Sequence, residues 1–307
     1  MGVASLHAPS RRDIADLQTL STIRLGAKAD WVAVTDDSVW VGSTGPNAVH
    51  QIDAATGQVV AVVDVPGEPC AGLATGFGSL WVPLCAKRPA VARVDLLKRQ
   101  LTGVFPVNLV TAEAGVTTGS GNVWLMTDHA GTLTGLNPLT GSVRRTLQVP
   151  AGSYNPLFSG GLIWVTRAAG ATVTAVDPVA GDPVVSIDTG PEPRFLAAGY
   201  GAIWTLNQGD GTLSRIDARS KLLTATVQLD TPGPGGDIAV GGGMVWTTVR
   251  GVPLSAVDAY TAKVRCQWFG NGGDSVGVAH GSIWLINCRA GEISRIGLQA
   301  VLSQCGA

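Results

Sequence analysis

The chain has 307 residues, and its 22 acidic and 21 basic side chains leave a formal net charge of −1. Only 14% of it is charged and 41 residues are glycine, a profile of a compact, turn-rich protein and not of a disordered one. The balanced charge offers no bulk attraction for nucleic acid or anionic lipid, and no apolar run approaches the roughly 18–20 residues that span a bilayer.

The first residues, "MGVASLHAPSRRD", have no hydrophobic signal core, and residues 1–19 read as an N-terminal tail. A short apolar strand, "LSTIRL" (20–25), follows with no repeat unit of its own. A motif then recurs along the chain: "DDSVWVGS", "FGSLWVPL", "SGNVWLMT", "GGLIWVTR", "YGAIWTLN", "GGMVWTTV" and "HGSIWLIN". Its tryptophans are Trp40, Trp81, Trp124, Trp164, Trp204, Trp246 and Trp284, spaced 41, 43, 40, 40, 42 and 38 residues apart. Seven of nine tryptophans on one period mark a repeat architecture, in which each fills an equivalent interior space.

A second signal keeps the same phase. After each of the first six tryptophans a short strand ends in Asp53, Asp95, Asn137, Asp177, Asp217 or Asp258. Turns such as "AATG" and "PLTG" come next, because Asp or Asn bonds the nearby backbone and Gly supplies the positive φ that closes the turn. Another apolar strand completes the unit. Four short strands per unit cannot bury both faces alone. Units packed face to face around an axis can, which predicts an all-β, seven-bladed propeller over residues 20–307. The seventh unit has Trp284 and a third strand, "EISRIG", but no fourth. The spare strand at about 20–25 is expected to complete blade seven, closing the ring and removing a free sheet edge.

The repeat pattern Pro-x-apolar-Ala-x-Gly-x-Gly-(Ser/Ala)-apolar-Trp-(Val/Thr), then apolar-Asp-x-x-Thr-Gly, clearest in the units "EPCAGLATGFGSLWVPL" (68–84) and "EPRFLAAGYGAIWTLN" (192–207), resembles the YVTN-type and streptogramin (virginiamycin) B lyase-like propellers. That resemblance covers nearly the whole chain. It implies a magnesium ion and a catalytic His and Glu at the channel mouth, opening a cyclic depsipeptide by elimination. The family often shows Pro-His at the start of an inner strand; here Cys70 and Arg194 follow that proline.

Propeller ligands usually meet the face bearing the loops between blades and between second and third strands. The inner-strand starts carry Asp30, Glu68, Cys70, Glu113, Tyr154, Asn155, Glu192, Arg194, Asp237 and Asp274. The second-to-third loops add Lys87, Arg88, Asp128, His129, Arg167, Asp210, Arg250 and Arg289. Asp30, Glu113, Asp237 and Asp274 come from four blades and read either as a site for a hard cation (Mg or Ca) or an amine, or as solvated acids pairing with Arg194. Of the histidines, His7 falls in the tail, His50 on a third strand and His280 in the turn at the far end of an inner hairpin. Only His129 lands on the mouth side, where it is the candidate general base. Trp31, next to Asp30, is a candidate ligand platform. "GDSVG" (273–277) matches G-x-S-x-G, but no helix follows Ser275, so it reads as a turn near the axis.

Cys70 and Cys85 lie equally far from a hairpin centre between Phe77 and Gly78, so they should face each other within disulfide reach. Among Cys266, Cys288 and Cys305, a Cys266–Cys288 pair is the favoured choice, with one thiol left over. Disulfides point to an extracytoplasmic setting, periplasmic or secreted. The first functional expectation is a monomeric propeller that binds a small molecule or protein partner at an acidic channel mouth. The alternative is a metal-assisted lyase or ring-opening hydrolase.

Overall fold

A computed structural model describes residues 10–305. Seven antiparallel sheets form the blades of a propeller. Their inner strands succeed one another in contact around a common axis, and Val276–Ala279 of blade seven returns against Lys28–Val34 of blade one. The seven repeat tryptophans lie on the second strands and are completely or almost completely buried. Those of Trp81, Trp124, Trp164 and Trp246 donate their indole N–H to a carbonyl of the preceding inner strand at 3.0–3.2 Å. In these four blades the apolar bulk carries its own polar anchor, whereas the buried indole N–H groups of Trp40, Trp204 and Trp284 have no hydrogen-bond partner. In blades two, three, five and six the inner strand ends in glycine (Gly76, Gly119, Gly199 and Gly241), which lets neighbouring blades approach closely. A Cβ on Gly241 would come within 2.6 Å of Val278 in blade seven.

The turns opened by the repeat aspartates behave as their chemistry requires. Asp53 Oδ1 accepts from the Ala55 and Thr56 backbone N–H groups, and Asp177 and Asp217 repeat the pattern. Backbone N–H donors hold these carboxyls below the usual carboxylate range. Arginines tie neighbouring turns together. Arg93 in blade two bonds the Pro138 and Leu139 carbonyls of blade three, Arg145 bonds the Val179 carbonyl of blade four, and Arg295 closes from blade seven to the Ala55 carbonyl of blade one.

The ring closes as the repeat phase requires: Thr19–Arg24 pairs antiparallel with Glu292–Gly297 as the fourth strand of blade seven. The stretch read as a tail does more than lead into it. Ser10–Asp13 adds a parallel fifth strand to blade six, beside Val264–Phe269. At the other end, Leu298–Gln304 forms a helix whose Leu298 and Val301 pack with Trp268 and Cys266. Cys305 then joins Cys266, with Cα atoms 5.2 Å apart. The favoured Cys266–Cys288 pairing is therefore incorrect. Cys266 lies on the outermost antiparallel strand of blade six, whereas Cys288 follows the second strand of blade seven at the mouth and is a free thiol.

Cys70 and Cys85 are bonded, with Cα atoms 5.7 Å apart. The simple mirror register holds near the turn, where Ala74 faces Trp81, but slips by two residues at Glu68 and Pro69, which face Cys85 and Leu84. The disulfide spans that irregularity.

Candidate functional site

Two cavities share one wall. The lower lies on the axis, has a volume of about 320 Å³, and is lined by the inner strands of all seven blades. The upper, of about 260 Å³, lies among blades one, two, three and seven, lined by Lys28, Asp30, Glu68, Glu113 and Cys288 among others. Trp31 lines both, so its indole is the partition between them. Its backbone is left-handed at φ 63°, a conformation unusual for a bulky residue. The ring extends from blade one to Phe195 of blade five and rests over Gly72 of blade two. Trp31 is thus a septum across the channel.

Beside the septum two carboxyls are drawn from blades one and six. Asp30 lines the upper cavity and Asp237 the lower. One oxygen of each accepts from the next residue's backbone N–H, Trp31 and Ile238 respectively, both at 2.8 Å. Burial outweighs those bonds. It pushes Asp30 up to about 6, helped by the negative charges of Asp274 and Glu113, and Asp237 up to about 7, helped by Asp30. Both residues are only partly accessible. Ser275 is wholly buried against this pair. Its hydroxyl is near enough to favour ionisation of both carboxyls, yet neither contact closes to a full hydrogen bond.

Asp274 accepts the Cys288 backbone N–H at 2.7 Å. Burial pushes the Cys288 thiol up to about 11, with the Asp30 and Asp274 charges adding to it. Across the mouth, Arg194 meets Glu113 at 3.7 Å, a largely solvated contact that contributes little to stability. Arg194 also lies 5.1 Å from the centre of the Tyr154 ring.

Tyr154 and Asn155 are wall more than site. The Tyr154 hydroxyl donates to the Pro193 carbonyl at 3.1 Å, and burial raises its pKa well above the ordinary phenol value. Asn155, left-handed at φ 48°, accepts from the Gly115 N–H at 3.1 Å and donates to the Arg194 carbonyl at 2.8 Å. It stitches blades three, four and five at the head of the channel.

His129 is exposed on its loop and lines neither cavity. His50 is buried with its ring 2.8 Å from the Ser43 hydroxyl, and burial lowers its pKa. His280 lies on the opposite face against the Asp36 carbonyl, and His7 is outside the described residues. Among the described residues no three His, Cys, Asp or Glu side chains are placed to hold a metal ion. Asp30, Asp237 and Asp274 each spend one carboxyl oxygen on a backbone N–H. Phe195 and Cys288 had no sequence signal as site residues. Phe195 is one apolar position among many on an inner strand, and Cys288 carries no motif.

No family model matches the sequence, and no curated protein matches it. Among the described residues no helix is long and apolar enough to cross a membrane.

Proposed function

We propose that this chain is an extracytoplasmic binding propeller, acting as a monomer, that captures a small ligand at its acidic mouth. The observation that carries this reading is the pair of cavities meeting at Trp31 with Asp30 and Asp237 beside it. Cavities of this size suit a small molecule better than a protein side, and the excess of carboxyls around them favours a cationic or polyhydroxylated ligand. Two disulfides support an oxidising compartment. The test is thermal unfolding against a panel of amines, polyols, magnesium and calcium. A true ligand stabilises by mass action, about 2.7 kcal/mol at a hundredfold excess over Kd. A panel in which nothing raises the melting temperature, or in which Asp30→Asn leaves every shift intact, overturns the reading.

A second reading is favoured by the carboxyls raised to about 6 and 7. Such values suit general acid–base chemistry near neutrality. The resemblance to streptogramin B lyase-like propellers makes a lyase or ring-opening hydrolase the natural candidate, with Asp30 or Asp237 in place of His129 as base. Turnover of a cyclic depsipeptide or lactone that disappears in Asp237→Asn but persists in His129→Ala would favour this reading over pure binding.

A further inference from the structure

We infer that the axial cavity beneath Trp31 takes a protonated amine with an apolar body, its ammonium held at Asp237 and its body lying along the channel. The inference rests on the mouth being a binding site and names the chemical class that site accepts.

The channel wall is mixed: Val34, Leu157, Leu196, Val240 and Val278 supply aliphatic surface, and Thr117, Asn155 and glycine backbone lie among them. Asp237 is the one ionisable residue lining it, and among the described residues no Lys or Arg forms an ion pair with Asp237. A carboxylate facing an apolar cavity is costly unless a proton or a cation neutralises it. An anionic ligand is repelled there. Among the described residues a hard metal ion finds one carboxylate in the lining and no second acid there. An ammonium satisfies the carboxylate with a charge-assisted hydrogen bond, and its hydrocarbon chain leaves water for the channel. Trp31 and Phe195, in ring contact with each other, also line the cavity, and aromatic rings attract a cation. The wholly buried Ser275 hydroxyl near Asp237 has no full hydrogen-bond partner, and the carboxyl's own bonds come from backbone N–H groups that carry no charge.

The charged groups around this pair come from several blades. Asp30, Asp274 and Glu113 add negative charge, while Arg194 engages Glu113 and Lys28 and Arg289 act on Cys288. A ligand ammonium stays protonated between pH 6 and 8, whereas Asp237 loses its proton as pH rises through about 7. Affinity therefore increases with pH across that window.

The test is calorimetric titration at pH 8 with n-hexylammonium, and with 1-hexanol and methylammonium for comparison. Hexylammonium is expected to bind at least about tenfold more tightly than the alcohol. From propyl to hexyl the affinity should rise about fourfold per methylene, and it should fall at pH 6. Asp237→Asn imitates the protonated acid in shape and is expected to fold while losing at least about tenfold in affinity. Val240→Trp, which fills the channel and leaves Asp237 in place, is expected to abolish binding. Hexanol binding as well as hexylammonium, unchanged affinity in a folded Asp237→Asn protein, or no binding of hexylammonium would each overturn the inference. Methylammonium binding as tightly as hexylammonium would place the cation in the upper cavity, overturning the channel assignment while leaving the mouth reading intact.

Discussion

Trp31 and Phe195 meet across the propeller axis, with ring centroids 6.2 Å apart and ring planes tilted by 55°. One belongs to blade one and the other to blade five, so the contact braces the ring across its middle. It also keeps Asp30 and Asp237 on opposite sides of a partition.

Removing the indole should therefore be felt twice. Trp31→Ala is expected to merge the two cavities and to cost about 1–3 kcal/mol, less than a fully buried tryptophan because Trp31 is only partly buried. At an ordinary strand position glycine is about 0.5–1 kcal/mol worse than alanine. At φ 63° that order should vanish or reverse, since left-handed backbone costs an L-residue roughly 1 kcal/mol. Urea denaturation of Trp31→Ala and Trp31→Gly side by side checks this, and a clearly less stable glycine variant would contradict it.

The two raised carboxyls give stability a definite pH dependence. Their folded-state values, about 6 and about 7, stand above the ordinary 3.8. The folded state thus binds more protons than the unfolded one between about pH 4 and 7. Their contribution is fully present below about pH 4 and is lost as pH rises through 6 to 7. Asp237→Asn should remove the cost of the buried ionised carboxyl, on the order of 4 kcal/mol at pH 8, and make the variant more stable than the parent there. Denaturation midpoints at pH 5 and pH 8 measure it, and a parent protein more stable than the variant at pH 8 would rule the assignment out.

Cys288 should be a poor nucleophile despite lying on a cavity. With its thiol pushed up to about 11, little thiolate exists at neutral pH. Alkylation by iodoacetamide at pH 7.5 is expected to run at least about tenfold slower than for an unstructured cysteine. Mass spectrometry of the native and urea-unfolded protein gives the comparison. Equal rates would show that the carboxyl surroundings described here do not reach the sulfur.

The two disulfides should differ in what they restrain. Cys70–Cys85 spans 15 residues and Cys266–Cys305 spans 39. Chain-entropy arguments give about 3 and 4 kcal/mol respectively. Cys70→Ser should lower stability with the ring seam intact, while Cys305→Ser should also raise amide hydrogen exchange in the helix 298–304. Protection unchanged in that helix would mean that packing of Leu298 and Val301 holds it without the bond.

The periodic features were the legible ones. Tryptophan spacing and the surplus strand required a closed ring of seven, because each unit buries its second face only against another. The phase of the repeat also located Asp30 and Asp237 at the starts of inner strands. Their burial was not legible, since it depends on Trp31 reaching a residue in a distant blade. Cys305 was hidden for a different reason: "LQAVLSQ" is too short to display a helical period, so nothing announced that the chain would turn back onto blade six. Trp268, off the repeat and wholly buried, is explained by the same return, because it packs with Leu298 and Val301.

An open stack of repeats frays from its ends, losing one unit at a time. Here the described residues start on blade six at Ser10, complete blade seven, travel the circle, and return to blade six at Cys305. Every blade therefore has two neighbours, and no blade is first to leave. Heat should find no loose unit to melt early. Loss of order should spread through all seven blades in one steep event, and below that temperature the carboxyls beside Trp31 should keep their spacing.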